Sequence, residues 1–184
     1  MEKFLIAGGA ELRGTVRIAG AKNATLPIMA ASLLCPGICT IYDVPDLRDV
    51  RVMCEILTLM GAKVEYKDGT CQLDTRNISS AEVPENLMRE MRSSVFLMGA
   101  LLGRLGRVKV SYPGGCAIGP RPIDLHLKGL AALGTRISER HGYMLAEGRE
   151  LRGSDVHLDF PSVGATENIM MAAVRARGVT LIRN

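Results

Sequence analysis

The stretch that decides the fold is ATLPIMAASLL (residues 24–34), a run of small and apolar residues at helical spacing. Related stretches recur as SSVFLMGALL (93–102) and ATENIMMAAV (165–174). Each is followed by a short run rich in β-branched residues, as in the segment VKV (108–110) after the second stretch. A helix that recurs together with its following strand predicts a fold built from repeated supersecondary units.

Two further pairs of segments extend the repeat. LTLMGAKVEY (57–66) resembles LAALGTRISE (130–139), and LRGTVRI (12–18) resembles LRGSDVHL (151–158). Each unit is therefore predicted to run strand, helix, strand, helix, strand, with an extra short strand where Gly69 or Gly142 permits a turn. The third unit stops at Asn184, after its first helix and strand, which would leave sheet edges and apolar faces uncovered. We therefore expect a truncated chain, or one that needs a partner segment.

The composition indicates a soluble globular protein of ordinary size. The chain has 184 residues, of which 47% are hydrophobic and 23% charged, enough for one domain or a large part of a bigger one. Its apolar runs are too short to cross a membrane, and its beginning lacks the apolar core of a signal peptide, so we expect a cytoplasmic protein. The net charge of +4 and the 4% of aromatic residues argue against a nucleic-acid surface but suit a small anionic substrate.

The cysteines indicate a reducing compartment. There are 5 of them, an odd number without the pattern of a secreted disulfide scaffold. A metal site at Cys35 and Cys39 is the sharper alternative, but no second pair follows and the histidines lie far downstream. We expect no metal, and we interpret every thiol except that of Cys116 as a core or near-surface residue.

The repeated helices are preceded by polar or cationic residues. Lys22 and Asn23 stand before the first helix, Arg92 before the second, and Ser162 and Val163 before the third. Unpaired N–H groups and the positive end of the helix dipole attract anions at such positions. Asn23 is predicted to be an N-cap, and Ser162 either caps its helix or binds a ligand. Because cations oppose the dipole, Lys22 and Arg92 are either solvated surface charges or ligands of an anion, and the pattern favours the anion.

The segment PGGCAIGPRP (113–122) is predicted to be an active-site loop. Three glycines and three prolines in ten residues make a mobile loop with stiff ends, which is typical of lids over active sites. Pro122 suits the first turn of a helix predicted over 123–133. Cys116 lies beside Arg121 and close to that helix start, an environment that tunes the pKa of a thiol. The alternative is a connecting turn with an incidental cysteine.

Four motifs in register resemble those of one enzyme family. PGGCAIGPRPIDLH (113–126) resembles the signature loop of the UDP-N-acetylglucosamine 1-carboxyvinyltransferases. GAKN (20–23), MRSS (91–94) and SVGAT (162–166) resemble three further motifs of that family, in the same order. The sister family that acts on shikimate 3-phosphate shares the repeated fold but lacks the cysteine loop. The chain is similar to the enolpyruvyl transferases over essentially its whole length.

The resemblance implies a particular architecture. Members of the family have two similar domains, each an inside-out α/β barrel of repeated βαβαββ units, with the substrates between them. Residues 1–184 would form an incomplete first domain, and residues 1–20 are expected to associate with a second domain that this chain lacks. That missing C-terminal domain, needed in cis or in trans, carries an acidic residue and an arginine that the family uses in the reaction.

The resemblance also implies the reaction, which needs no cofactor. The enolpyruvyl group of phosphoenolpyruvate passes to the 3-hydroxyl of UDP-N-acetylglucosamine with release of phosphate, as the first committed step of peptidoglycan synthesis. Cys116 would be the general acid that protonates the methylene carbon, and in the family this cysteine is the one alkylated by fosfomycin. The implied partners are these two small molecules, with neither nucleic acid nor membrane. The alternative is a catalytically silent UDP-sugar-binding fragment, and we expect the truncated chain to be inactive alone.

Site residues follow from the resemblance as well. Lys22 and Arg121 would neutralise phosphate and carboxylate charge. His126 has a role that stays open between ligand contact and helix packing. The residues implied to position the UDP-sugar and its diphosphate are Asn23, Arg92, Arg121, Pro122, Ile123, Asp124, Leu125, Ser162 and Val163.

Overall fold

A computed structural model describes residues 3–9, 11–113 and 123–184. The first unit contains α1 (Lys22–Ala31), β1 (Ile38–Ile41), α2 (Arg48–Leu59), β2 (Lys63–Lys67) and β3 (Thr70–Asp74). The second contains α3 (Glu85–Glu90), a 3-10 turn (Arg92–Val95), α4 (Phe96–Leu105), β4 (Arg107–Ser111), α5 (Asp124–Ala132), β5 (Arg136–Arg140) and β6 (Tyr143–Glu147). The third contains β7 (Asp155–His157), α6 (Val163–Ala173) and β8 (Leu181–Arg183).

The first two units build matching sheets. Their strand orders are β1-β3-β2 and β4-β6-β5, and every pair in both is antiparallel. The hairpins β2–β3 and β5–β6 turn through Asp68-Gly69 and His141-Gly142, whose φ angles are all positive (49°, 74°, 50° and 77°). Two successive residues with positive φ are the pattern of a tight turn whose twist matches that of the strands. The predicted turns at Gly69 and Gly142 are confirmed.

The helices form the inner layer and the sheets the outer one. α1, α4 and α6 contact one another, α2 packs on α1, and α5 packs on α6. Each sheet turns one face inward, so alternate residues of a strand are buried: Cys71 and Leu73 of β3 are 0% exposed, as is Ala146 of β6. Helices inside and sheets outside confirm the predicted inside-out α/β arrangement. The two strands of the third unit, β7 and β8, form a parallel pair.

Two glycines let the inner helices approach closely. A Cβ on Gly99 of α4 would stand 2.0 Å from the backbone oxygen of Asn168 in α6. A Cβ on Gly129 of α5 would stand 2.1 Å from Cδ1 of Ile169, also in α6. A side chain at position 99 would force α6 away, whereas one at position 129 would require the side chain of Ile169 to repack. The starts of α5 and α6, and the turn that leads into α4, are thereby held beside one another.

The leading segment departs from the sequence prediction. Residues 12–18 were predicted to form a strand, but the described residues from 3 to 20 contain no strand, and Phe4, Leu12 and Ile18 are 97%, 94% and 90% exposed. The prediction is wrong because no neighbouring strand offers hydrogen bonds there: within the described chain β1 pairs with β3 alone. The equivalent β7 forms because β8 pairs with it.

Helix α3 was not predicted from the sequence. No described helix is long and apolar enough to span a bilayer.

Candidate functional site

The helix starts that the repeat pattern singled out meet at one cleft of about 460 Å³. The α1 start, the turn before α4, the α5 start and the α6 start each contribute to its wall. The lining residues are Asn23, Arg92, Ser93, Val95, Phe96, Pro113, Ile123, His126, Ser162, Val163, Gly164 and Glu167. Positions more than a hundred residues apart in the chain are therefore brought to one place.

The residues named from the sequence fall into three groups. Five of them line the cleft: Asn23, Arg92, Ile123, Ser162 and Val163. Three others, Lys22, Asp124 and Leu125, belong to the same helix starts but are not in the lining. The remaining three, Cys116, Arg121 and Pro122, lie outside the described residues. The roles of the residues in all three groups stay predictions.

Lys22 has a carboxylate partner that the sequence did not indicate. Its Nζ donates to Oδ2 of Asp49 over 2.8 Å, with the two side chains 43% and 31% exposed. Asp49 lies in the first turn of α2, where a negative charge also suits the helix dipole. The two residues are 27 positions apart, so no local pattern could have paired them. An anion that recruits Lys22 has to compete with this exposed ion pair.

Ser162 is a cap, one of the two roles left open for it, whereas the predicted cap at Asn23 is wrong. Oγ of Ser162 accepts a hydrogen bond from the backbone N–H of Ala165 over 3.2 Å, as an N-cap does. Asn23 is not a cap, because the carbonyl of Ala21 already accepts from the N–H of Thr25 over 2.9 Å and α1 begins at Lys22. The helix therefore starts before Asn23, whose side chain is left to line the cleft.

A buried amide connects the cleft to the inner helices. Asn168 of α6 is 0% exposed; its Oδ1 accepts from the N–H of Gly99 over 2.7 Å and its Nδ2 donates to the carbonyl of Val95 over 3.1 Å. The same Nδ2 lies 3.0 Å from Nδ1 of His126. Three different helical segments are thus joined through one side chain, which rigidifies the cleft wall.

His126 is uncharged at neutral pH. It is 7% exposed, and burial followed by the positive charge of Arg92 lowers its pKa to about 4, against the opposing effect of Asp124. Burial also raises the pKa of Glu167, another residue of the lining. The cleft therefore offers a guanidinium and a neutral imidazole beside the N–H groups at the start of α6, a combination suited to an anionic ligand.

Asn168 was missed at the sequence level, although a signal was present. With Met29, Met98 and Met171 superimposed, Asn168 falls at the position of Leu26 and Val95. Those two positions are apolar and buried in the first two units. A polar residue in a position that the other repeats keep apolar indicates a specific partner in the core.

Sequence comparisons place the chain among carboxyvinyltransferases. The family model described as EPSP synthase (3-phosphoshikimate 1-carboxyvinyltransferase) matches residues 6–184. UDP-N-acetylglucosamine 1-carboxyvinyltransferase 1 of Symbiobacterium thermophilum is 56% identical over 100% of this chain and 43% of its own length. UDP-N-acetylglucosamine 1-carboxyvinyltransferase 2 of Caldanaerobacter subterraneus is 53% identical over 100% of this chain and 44% of its own length. The chain thus spans less than half the length of these relatives.

Solved structures agree on the fold. The enolpyruvyl transferase NikO from Streptomyces tendae matches 95% of this chain and 41% of its own with a TM-score of 0.80 at 23% identity. The EPSP synthase of Acinetobacter baumannii matches 92% of this chain and 40% of its own with a TM-score of 0.68 at 17% identity. At these identities the likeness establishes the fold alone, which is the fold that the family resemblance implied.

Proposed function

Because the chain belongs to the EPSP synthase family, we propose that it is the first-domain part of a UDP-N-acetylglucosamine 1-carboxyvinyltransferase. The whole protein would transfer the enolpyruvyl group of phosphoenolpyruvate to the 3-hydroxyl of UDP-N-acetylglucosamine and release phosphate. The observation that carries this proposal is the meeting of several helix starts at one cleft with Arg92, Ser162 and His126 in its lining. A cytoplasmic location and a role in cell wall synthesis belong to the same proposal.

The chemistry of the cleft suits the nucleotide half of that substrate. A diphosphate is attracted by the N–H groups at the start of α6 and by the guanidinium of Arg92. The volume of about 460 Å³ lies within the range of roughly 300–1,000 Å³ that is usual for small-molecule sites. Asn23 and Ile123, which line the same cleft, would contact the sugar and the base.

In the proposed reaction the thiol of Cys116 is the proton donor. Cys116 would give its proton to the methylene carbon of phosphoenolpyruvate while the oxygen of the 3-hydroxyl bonds to the adjacent carbon and its proton passes to a carboxylate of the second domain. The methyl group so formed would then return a proton to the thiolate of Cys116 as the bond from the adjacent carbon to the phosphate oxygen breaks, which restores the carbon–carbon double bond, now that of an enol ether, and releases phosphate. Lys22 and Arg121 would neutralise the phosphate and carboxylate charges, and Lys22 would exchange Asp49 for the ligand as it does so.

A second domain completes the proposal. In the segment before α1, the apolar side chains of Phe4, Leu5, Ile6, Val16 and Ile18 are 85–102% exposed. A run of exposed apolar residues calls for a partner surface. The relatives are more than twice as long as this chain, and we propose that their remaining part forms the domain on which residues 1–20 pack.

Binding is tested by titrating the ¹⁵N-labelled chain with UDP-N-acetylglucosamine and following the backbone amides. The shifts should concentrate in the turn at 92–96, in residues 123–126 and at the start of α6. Arg92→Gln should weaken binding by about tenfold or more, the usual effect of losing a charged hydrogen bond. Arg175→Gln, at an exposed position just after the end of α6, is the matched control. Equal losses in the two variants would place the ligand elsewhere.

Catalysis is tested by phosphate release. The chain alone should release none, whereas the chain supplemented with the C-terminal part of the Symbiobacterium thermophilum relative should turn over. In the supplemented system Cys116→Ser should abolish turnover, while Cys116→Asp should keep some because a carboxylic acid still donates a proton. The reverse ranking would remove Cys116 from the acid role. Binding without any phosphate release in the supplemented system would support the silent UDP-sugar-binding alternative.

Fosfomycin gives an independent probe of the thiol. The epoxide should add a single mass increment to Cys116, the cysteine that the family resemblance implies as its target. Cys35, which is exposed, serves as the internal control, and Cys71 is buried. Modification of Cys35 at the same rate as Cys116 would show that exposure alone governs the reaction.

A further inference from the structure

The hydrogen bonds of Asn168 determine which end of its amide faces His126. Its Oδ1 is committed to the backbone N–H of Gly99 over 2.7 Å, and a backbone N–H can only donate. The other end of the amide is therefore the NH₂ group, and one of its hydrogens goes to the carbonyl of Val95. The second hydrogen is directed at Nδ1 of His126, 3.0 Å away.

This arrangement leaves one protonation pattern for the imidazole. An NH₂ group has no lone pair to offer, so Nδ1 of His126 has to accept with its own lone pair and carries no hydrogen. A neutral imidazole has one N–H group, which must then be at Nε2. Within the described residues Nε2 has no hydrogen-bond partner. Its donor is thus left available to a ligand.

We propose that Asn168 is a positioning residue that holds His126 as the Nε2–H tautomer, so that the ring presents a neutral donor to an anionic oxygen of the ligand at the start of α6. An ideal Cβ on Gly164 would stand 3.5 Å from Cε1 and 3.7 Å from Nε2 of His126. Nε2 therefore lies beside the first turn of α6, next to the cap formed by Ser162. The identity of that oxygen, a diphosphate oxygen of a UDP-sugar, rests on the proposed function, whereas the tautomer does not.

A neutral donor is the form that this cleft tolerates best. A second cation beside Arg92 would be repelled and would lose its hydration on burial. The carboxylates nearby are Asp124, in the first turn of α5, and Glu167, in the lining of the cleft. Neither makes a hydrogen bond to the ring among the described residues, so no acceptor competes with Asn168 for Nδ1.

The tautomer is measured directly by long-range ¹H–¹⁵N correlation on the ligand-free, ¹⁵N-labelled chain near neutral pH. His126 should show a protonated Nε2 and an unprotonated Nδ1. The exposed His141 and His157 should show averaged tautomers and serve as internal references. A protonated Nδ1 or an averaged signal at His126 would overturn the inference while leaving the proposed function intact.

A substitution tests whether Asn168 determines the tautomer of His126. In Asn168→Asp the carboxylate can only accept, so the proton should move to Nδ1 and the ring should become easier to protonate. Met170→Asp adds the same charge to the exposed side of α6, where Met170 is 54% exposed, and should leave the tautomer unchanged. If both variants changed the His126 signals alike, charge and not the amide contact would set the tautomer.

A last variant tests the donor without altering the ring. Gly164→Ala introduces only ordinary van der Waals contacts but places a methyl group over Nε2. It should leave the chain folded and weaken UDP-N-acetylglucosamine binding by about tenfold, the effect of losing a hydrogen bond to a charged group. Gly37→Ala, where a Cβ meets nothing, is the matched control. Unchanged affinity in Gly164→Ala would refute the donor role, whereas no binding by the unaltered chain would refute the proposed function instead.

Discussion

Protonation of His126 should make this protein lose stability as the pH falls. In the folded chain burial and the charge of Arg92 lower the pKa of His126 from 6.5 to about 4. Between these two pH values the unfolded chain binds a proton that the folded chain does not. The free energy of unfolding therefore decreases as the pH is lowered. At about 1.4 kcal/mol per pKa unit, a shift from 6.5 to about 4 corresponds to about 3 kcal/mol. Above the unfolded pKa both states are neutral and the contribution is complete.

Urea unfolding at about pH 7 and about pH 4 measures this loss. His126→Asn removes the titrating ring and retains an oxygen that can accept from Asn168. The other titrating groups are the same in the unaltered chain and in the variant. The difference between the two proteins in unfolding free energy lost on acidification therefore isolates the contribution of His126. The unaltered chain should lose about 3 kcal/mol more than the variant over this interval. A difference near zero, or a larger loss in the variant, would show that the folded chain protonates His126 without cost.

Three further substitutions test the packing, each by urea unfolding near neutral pH. Gly99→Ala should destabilise the chain by about 1–3 kcal/mol or more, because its Cβ would meet a backbone oxygen of α6 at 2.0 Å; Gly37→Ala, in open space, should not. Leu57→Ala should cost about 2–5 kcal/mol, since Leu57 is 0% exposed, whereas Leu59→Ala should change little, since Leu59 is 60% exposed. Ser162→Ala should cost about 1 kcal/mol by removing the N-cap of α6, and an unchanged midpoint would show that the cap contributes nothing.

Most of the regular structure was accessible from the sequence because its signals are local. The resemblance between 57–66 and 130–139 predicted the same helix-to-strand connection twice. Both helices are followed, two residues after their last residue, by a glycine with positive φ, 107° at Gly61 and 91° at Gly134. The helix predicted over 123–133 is α5, Asp124–Ala132. Apolar spacing and glycine conformation are properties of neighbouring residues, so they appear in a short window of sequence.

The strand error has a non-local cause, whereas the cap error has a local one. Residues 12–18 have the pattern of a strand, but a strand needs a partner, and among the described strands none pairs with them. Asn23 has the chemistry of an N-cap, but the carbonyl of Ala21 begins the helix first. The pairing of Lys22 with Asp49 was not indicated by the sequence, because Asp49 lies in a different helix 27 positions away.

The sequence by itself determined the repeated unit and the presence of polar or cationic residues at each helix start. Local propensity and hydrophobic periodicity are sufficient for both. Only the tertiary structure decided that the starts of α1, α5 and α6 meet at one cleft, that Asn168 bonds His126, and that the imidazole is uncharged there. Hydrogen bonding and protonation depend on distances between separate elements and on burial, and packing creates both.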